Sequence, residues 1–265
     1  MPDDPRIGVE TRDWISTVTF RRSEALNALD ESMTLTLVDV LERLQADEAT
    51  RVIVLTGEGR GFCAGADVGA IADRVGADAR PADYLQATRA SATLARALHS
   101  LDKPLIAAVN GAAAGAGAAI AITADVTVMA DDALLSFLFV TRGLVPDFAS
   151  TWLLPRLVGL RTARRLCLFG ERVGADEAFR LGLVDRVVAP GDLAEEAWLI
   201  AEQLAQGAGV ALRLTKRLLA QSFERDHSAA IDAEFAAQAL CFASADVVEG
   251  VAAFLEKRPP VFSWR

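Results

Sequence analysis

The sequence predicts an α/β fold with substantially parallel strand pairing, followed by a helical carboxy-terminal third. Three observations predict it. The short apolar runs RVIVLTG, LIAAV and VTVMA read as buried strands. Segments with helical periodicity separate them, at the rhythm of crossover connections between parallel strands. From about residue 159 onward the strand signals give way to helical ones.

The elements follow in order. Residues 7–20, IGVETRDWISTVTF, alternate enough for two short strands about a turn at 11–13. Asp30 is placed to cap a helix over 31–46, whose stripe is Met33, Leu37, Val40, Leu41 and Leu44. RVIVLTG is a buried strand ended by Gly57, and GEGRGFCAGADV reads as a glycine-punctuated loop. A helix over 82–100 follows, limited by Pro104 before the strand LIAAV. The turn Asn110-Gly111 leads to a helix of small residues, the strand VTVMA and a shorter strand near 133–137. Then come helices in LRTARRLCLFG and ADEAFRLG, a short strand in LVDRVV, and helices near 192–206, 208–223, 229–243 and 246–256. This divides the chain into an α/β core at 1–200 and a helical oligomerisation or lid region at 201–265.

Composition narrows the function. With 265 residues the chain can bury a sizeable core, and 52% hydrophobic against 24% charged residues marks it as globular. A formal net charge of -9 disfavours nucleic acid or an anionic membrane surface as partner. Cys63, Cys167 and Cys241 are too few and too scattered for a disulfide framework, and no spacing suggests a metal site. MPDDPRIGVE lacks a basic region followed by an apolar run, so a cytoplasmic protein is expected.

Two stretches are built almost wholly of small residues. VNGAAAGAGAAIAITADV passes from a strand into a helix, and GFCAGADV follows another strand. Small residues let backbone amides at a helix start approach a ligand, although tight packing of a helix on a sheet would select them too. The first stretch does not read GxGxxG and lacks the lysine and hydroxyl residue of a phosphate-binding loop, which disfavours nucleotide chemistry. Two such loops converging at one end of a sheet could turn two N–H groups toward one oxygen, forming an oxyanion hole. A third stretch, SFLFVTRGLVPDFASTWLLPRLVG, sets the carboxylate of Asp147 among Phe137, Leu138, Phe139, Val140, Leu144, Val145, Phe148, Trp152 and Leu153. Desolvating a carboxylate there is costly unless it has a use.

Taken together, RRSEALNAL, GRGFCAGADV, KPLIAAVNGAAAGAGAAIAITADV, GLVPDFASTWLLPRLVG, ADEAFRLGLVDRVV and ASADVVEGVAAFLEKRPPVF resemble the crotonase superfamily, the enoyl-CoA hydratase/isomerase family. The match is colinear from about Gly8 to Phe262. The resemblance implies a spiral of ββα units with a helical trimerisation region, assembled as a trimer or a dimer of trimers. It implies an acyl-CoA substrate, with coenzyme A part of that substrate and no further cofactor. It also implies that the amides of Ala66 and Ala116 form the oxyanion hole. Ala25, Ala64 and Asp67 fall where the coenzyme passes, with Asp67 expected to brace its loop.

The same resemblance marks a departure. The two glutamates of the family's hydratases fall at Ala119 and Phe139, which cannot ionise. Asp147 falls where certain isomerases and chlorobenzoyl-CoA dehalogenases of the family carry their active carboxylate. The expectation is a 3-enoyl-CoA to 2-enoyl-CoA isomerase with Asp147 as base and acid; a hydratase with atypical acids and a catalytically silent acyl-CoA binder are the alternatives. Trp152 and Tyr84 are candidate pocket residues, and Lys216 and Lys257 candidate neighbours of the coenzyme. His99 is expected to pack or cap, the dehalogenase reading giving it a base's role. Asp125 is expected to be structural.

Overall fold

The computed structural model describes residues 4–72, 85 and 88–264. Its ten strands are β1 (Ile7–Arg12), β2 (Ile15–Phe20), β3 (Val52–Gly57), β4 (Gly61–Cys63), β5 (Leu105–Val109), β6 (Ala112–Ala114), β7 (Val126–Ala130), β8 (Leu134–Ser136), β9 (Arg172–Gly174) and β10 (Arg186–Val188) among the described residues. The helices are α1 (Glu31–Ala46), α2 (Val68–Ala72), α3 (Arg89–His99), α4 (Ala116–Thr123), α5 (Ser150–Phe169), α6 (Ala175–Leu181), α7 (Leu193–Ala205), α8 (Gly209–Ala220), α9 (His227–Phe242) and α10 (Ala245–Glu256).

The strands make two sheets. One has the order β1-β2-β3-β5-β7-β10 and the other β4-β6-β8-β9. The chain crosses between them with a regular step: β3, β5 and β7 lie in the first sheet, and β4, β6 and β8, which directly follow them, lie in the second. Pairing among these strands is parallel throughout, so the expected α/β fold built of repeated ββα units is what forms. The β1–β2 hairpin and β9 add antiparallel edges. Asp13 and Trp14 turn the hairpin with φ of 48° and 65°, the left-handed pair that suits a two-residue turn.

Helix α1 starts as its sequence dictates, with the Asp30 carboxylate accepting from the Met33 amide at 2.9 Å. It buries Met33, Leu37, Val40, Leu41 and Leu44, the expected stripe. Helix α7 lies on the first sheet against β3 and β5.

The expectations for the short strands and for one helix start need correction. The stretch read as one loop between Gly57 and Val68 contains strand β4, and the start of the small-residue helix is preceded by strand β6. Strand β9 carried no signal either. Each has three residues, too few for alternation to show, and Gly and Ala have little intrinsic strand preference. The helix containing LRTARRLCLFG begins earlier, at Ser150, and Gly159 at φ 74° kinks it. The helix expected over 82–100 is described as Arg89–His99, with 82–84 and 86–87 outside the described residues.

Two asparagines fix the connection between the sheets. Asn27 is buried, and its Nδ2 donates to Glu58 O at 3.0 Å and Gly61 O at 2.7 Å while its Oδ1 accepts from Arg22 N at 2.8 Å. Asn110 Oδ1 accepts from Gly57 N at 3.0 Å and its Nδ2 donates to Gly59 O at 3.0 Å. The turn between β3 and β4 is thereby held from both sides, and the loop after β4 starts from a fixed point.

Candidate active site

The loop after β4 and the start of α4 meet. Gly65 takes φ +88°, and a Cβ built on it would lie 2.6 Å from Ala114 O and 3.1 Å from Ala116 N. No side chain fits there, so this glycine is required by both conformation and contact. One residue into α4, a Cβ on Gly117 would collide with Cys63 O. The glycines in these two stretches therefore let β4 and α4 touch.

Ala66 and Ala116 flank this contact. Leu29 N donates to Gly65 O at 2.7 Å and Asp67 N donates to Leu29 O at 2.9 Å, so both neighbours of Ala66 are tied down. Neither the Ala66 nor the Ala116 amide has an acceptor among the described residues. Ala116 is the first residue of α4, where the unsatisfied amides and the helix dipole favour negative charge. Ala66 is exposed and Ala116 buried.

Asp67 braces its loop. Its carboxylate accepts from Gly69 N at 2.8 Å and Ala70 N at 3.2 Å, and pairs with Arg22 at 2.6 Å. The Arg22 hydrogen bond, followed by the backbone amides, holds its pKa below the usual carboxylate range. Arg22 also donates to Ala28 O at 3.1 Å. Sequence reasoning missed Arg22, because its partner is distant along the chain and no local pattern announces the pair. Ala64 N donates to Leu26 O at 2.9 Å, which ties half-buried Ala64 to the residue after half-buried Ala25.

Ala119 and Phe139, where the resemblance puts the acids of the family's hydratases, are apolar and both adjoin Gly115. Ala119 is fully buried in the first turn of α4, its amide donating to Gly115 O at 3.1 Å. Phe139 is buried in the 3-10 turn Leu138–Arg142, with its ring edge 4.0 Å from where a Gly115 Cβ would be. Phe139 O then accepts from Leu144 N at 3.1 Å, which starts the loop carrying Asp147.

Asp147 is not enclosed as its sequence neighbours suggested. Phe137, Phe139 and Phe148 are buried, but Leu144 and Val145 point to solvent and the Asp147 side chain is accessible. Desolvation by the surrounding protein nevertheless raises its pKa to about 6 against the opposing pull of its own amide. The chain just beyond is strained: Phe148 and Ala149 take φ of 50° and 58°. Left-handed backbone in residues with a Cβ costs roughly 1–2 kcal/mol each. Ser150 offsets part of it, its amide and hydroxyl donating to Asp147 O at 2.9 Å and 2.7 Å.

The remaining candidates divide. Trp152 is half-buried and carries the Arg156 guanidinium 3.9 Å over its ring, so one face is covered from within the chain. Lys216 donates to Asp125 at 2.6 Å and to Lys103 O at 2.9 Å, which engages its amine in the fold. Asp125 also accepts from Leu105 N at 2.7 Å, a structural tie. Lys257 caps α10 in the left-handed conformation. His99 ends α3 with Nε2 3.4 Å from Phe148 O, next to Asp147, and His227 starts α9. Tyr84 lies outside the described residues. Among the described residues, no three His, Cys, Asp or Glu side chains group as metal ligands and no single helix is long and apolar enough to cross a membrane.

Two interleaved sheets with small-residue helix starts define a crotonase-type fold, and solved structures share it. A crystal structure from Streptomyces coelicolor A3(2), provisionally named an enoyl-CoA hydratase, superimposes with a TM-score of 0.94 at 39% identity, covering 100% of this chain and 96% of that one. The 1,2-epoxyphenylacetyl-CoA isomerase of Escherichia coli is 38% identical over 251 residues, 94% of this chain and 95% of that protein. A protein of Rhodobacter capsulatus named "Probable enoyl-CoA hydratase" is 38% identical over 260 residues, 98% of each chain. The enoyl-CoA hydratase/isomerase family model matches residues 10–265, and the chain belongs to that family.

Proposed function

We propose that this protein is an acyl-CoA isomerase that converts a 3-enoyl-CoA to the conjugated 2-enoyl-CoA, with Asp147 as the proton carrier. The observation that carries the reading is one accessible carboxylate of raised pKa, on a loop that leaves the buried Phe139, with Ala119 and Phe139 standing where a hydratase would hold its acids.

The Asp147 carboxylate takes a proton from Cα of the substrate. The electron pair moves through the thioester carbonyl, and the resulting oxyanion receives hydrogen bonds from the Ala66 and Ala116 amides, the latter backed by the dipole of α4. The same proton returns at Cγ, so the double bond moves from Cβ–Cγ to Cα–Cβ and Asp147 is ionised again. One carboxylate suffices because one proton moves. Ala25 and Ala64 line the approach of the coenzyme, Asp67 holds the Ala66 loop from outside, and Ala119, Phe139 and one side of Trp152 border the acyl group. Coenzyme A enters as part of the substrate, without a separate cofactor.

Hydration is the second reading, favoured by the names of several relatives. Water addition needs one group to activate water and another to protonate the α carbon, and Asp147 alone fills one role at a time. Turnover of a short 3-enoyl-CoA and, separately, of its conjugated 2-enoyl isomer separates the readings. Accumulation of conjugated thioester without 3-hydroxyacyl-CoA supports the isomerase; rapid loss of conjugated thioester to the hydroxy product supports the hydratase. Tight binding without turnover of either substrate sinks both and leaves a silent acyl-CoA binder.

A further inference from the structure

We infer that His99 is a positioning residue for Asp147, holding the strained turn beside the carboxylate to the helix that packs on α4. This rests on the isomerase reading for its effect on rate, although the contact stands without it.

His99 is the last residue of α3, and its Nε2 lies 3.4 Å from the carbonyl oxygen of Phe148. A carbonyl can only accept, so Nε2 carries the hydrogen, as it does in one neutral tautomer and in the imidazolium. The accepting oxygen belongs to the peptide that joins Phe148 and Ala149, the two left-handed residues. Such backbone persists where surrounding contacts over-determine it. Three do so here: the Phe148 ring is buried, Ser150 holds Asp147 O with amide and hydroxyl, and His99 holds Phe148 O. The Ser150 contacts are local to the turn, and the Phe148 ring packs into the core without fixing the direction of the peptide. His99 adds the hydrogen bond that ties the turn's backbone to another element.

That element matters. Helix α3 packs against α1 on one side and α4 on the other. Helix α4 carries Ala116, so a chain of contacts runs from the proposed oxyanion donor through α3 and His99 to the peptide after Asp147. Proton transfer to and from carbon depends steeply on the distance between base and carbon when the oxygen is fixed elsewhere. His99 sets that distance without touching the substrate.

The test uses His99→Ala and His99→Gln, the second keeping a donor of similar reach, with folding checked by thermal melting. Two readouts are taken: kcat and KM with a 3-enoyl-CoA, and the titration of Asp147 followed by carboxyl carbon NMR. The expected result is a fall in kcat of about ten- to a hundredfold in His99→Ala with KM changed less than twofold, and an Asp147 pKa displaced toward that of an open carboxylate. His99→Gln recovers most of the kcat and the wild-type titration. Unchanged kcat and unchanged titration in His99→Ala would overturn the inference. So would His99→Gln as slow as His99→Ala while Asp147 titrates normally, since that points to proton chemistry by the imidazole itself. If the wild type does not isomerise yet His99→Ala still displaces the titration, positioning stands and the isomerase reading falls.

Discussion

In the proposed reaction Asp147 is the group that moves the proton, and its environment sets the pH at which it can do so. With a pKa raised to about 6, the carboxylate is a stronger base than an ordinary aspartate and is still ionised at neutral pH. The expected kcat/KM for isomerisation is flat above about pH 6 and falls roughly tenfold per pH unit below it, measured from pH 4.5 to 8. Stability carries the opposite mark. Between the unfolded value of 3.8 and about 6 the folded chain binds the Asp147 proton more tightly, so stability is lost as pH rises through that window. Asp147→Asn is accordingly expected to melt higher than wild type at pH 7–8, with the gap closing as pH falls to about 4, because below 3.8 both states are protonated. A variant that melts lower at neutral pH would show that Asp147 is stabilised by its surroundings and not desolvated by them.

At the scale of elements, the site is the meeting of β4 and α4, and glycine makes that meeting possible. Gly65→Ala would place a methyl 2.6 Å from Ala114 O at φ +88°, forcing the Ala66 loop away from α4. The expected effect is a loss of about 1–3 kcal/mol of stability and a fall in kcat of roughly a hundredfold, as for loss of one oxyanion donor, read by denaturant unfolding and steady-state kinetics. Helix α1 and strands β3, β5 and β7 were legible in the sequence because each has an apolar stripe or run long enough to show its period. The convergence of two small-residue loops was legible as a possibility. Strands β4, β6 and β9 were not, each being three residues long and β6 wholly alanine, so the second sheet emerges from tertiary pairing. The Arg22–Asp67 pair, the His99 contact and the left-handed turn after Asp147 were equally hidden, since each depends on residues that only the fold brings together.

For the whole molecule, the helical carboxy-terminal region leaves a large apolar surface uncovered. Phe235 and Phe242 on α9 and Phe254 on α10 are exposed by 71%, 68% and 82%, far more than a lone soluble chain tolerates on neighbouring helices. Self-association is expected, with sedimentation equilibrium as the check. Phe254→Glu is expected to shift the mass toward the monomer, and a wild type that sediments as a monomer at micromolar concentration would contradict it.

In the proposed reaction one carboxylate moves one proton. Wild type and Asp147→Asn are compared for appearance of conjugated-thioester absorbance from a short 3-enoyl-CoA, with affinity for the CoA ester determined for both. Robust wild-type turnover is expected to fall by about 10²–10⁴-fold in the variant while affinity stays within a few fold, the range for loss of a general base. An Asp147→Asn enzyme that isomerises as fast as wild type would contradict it and place the proton chemistry on another group.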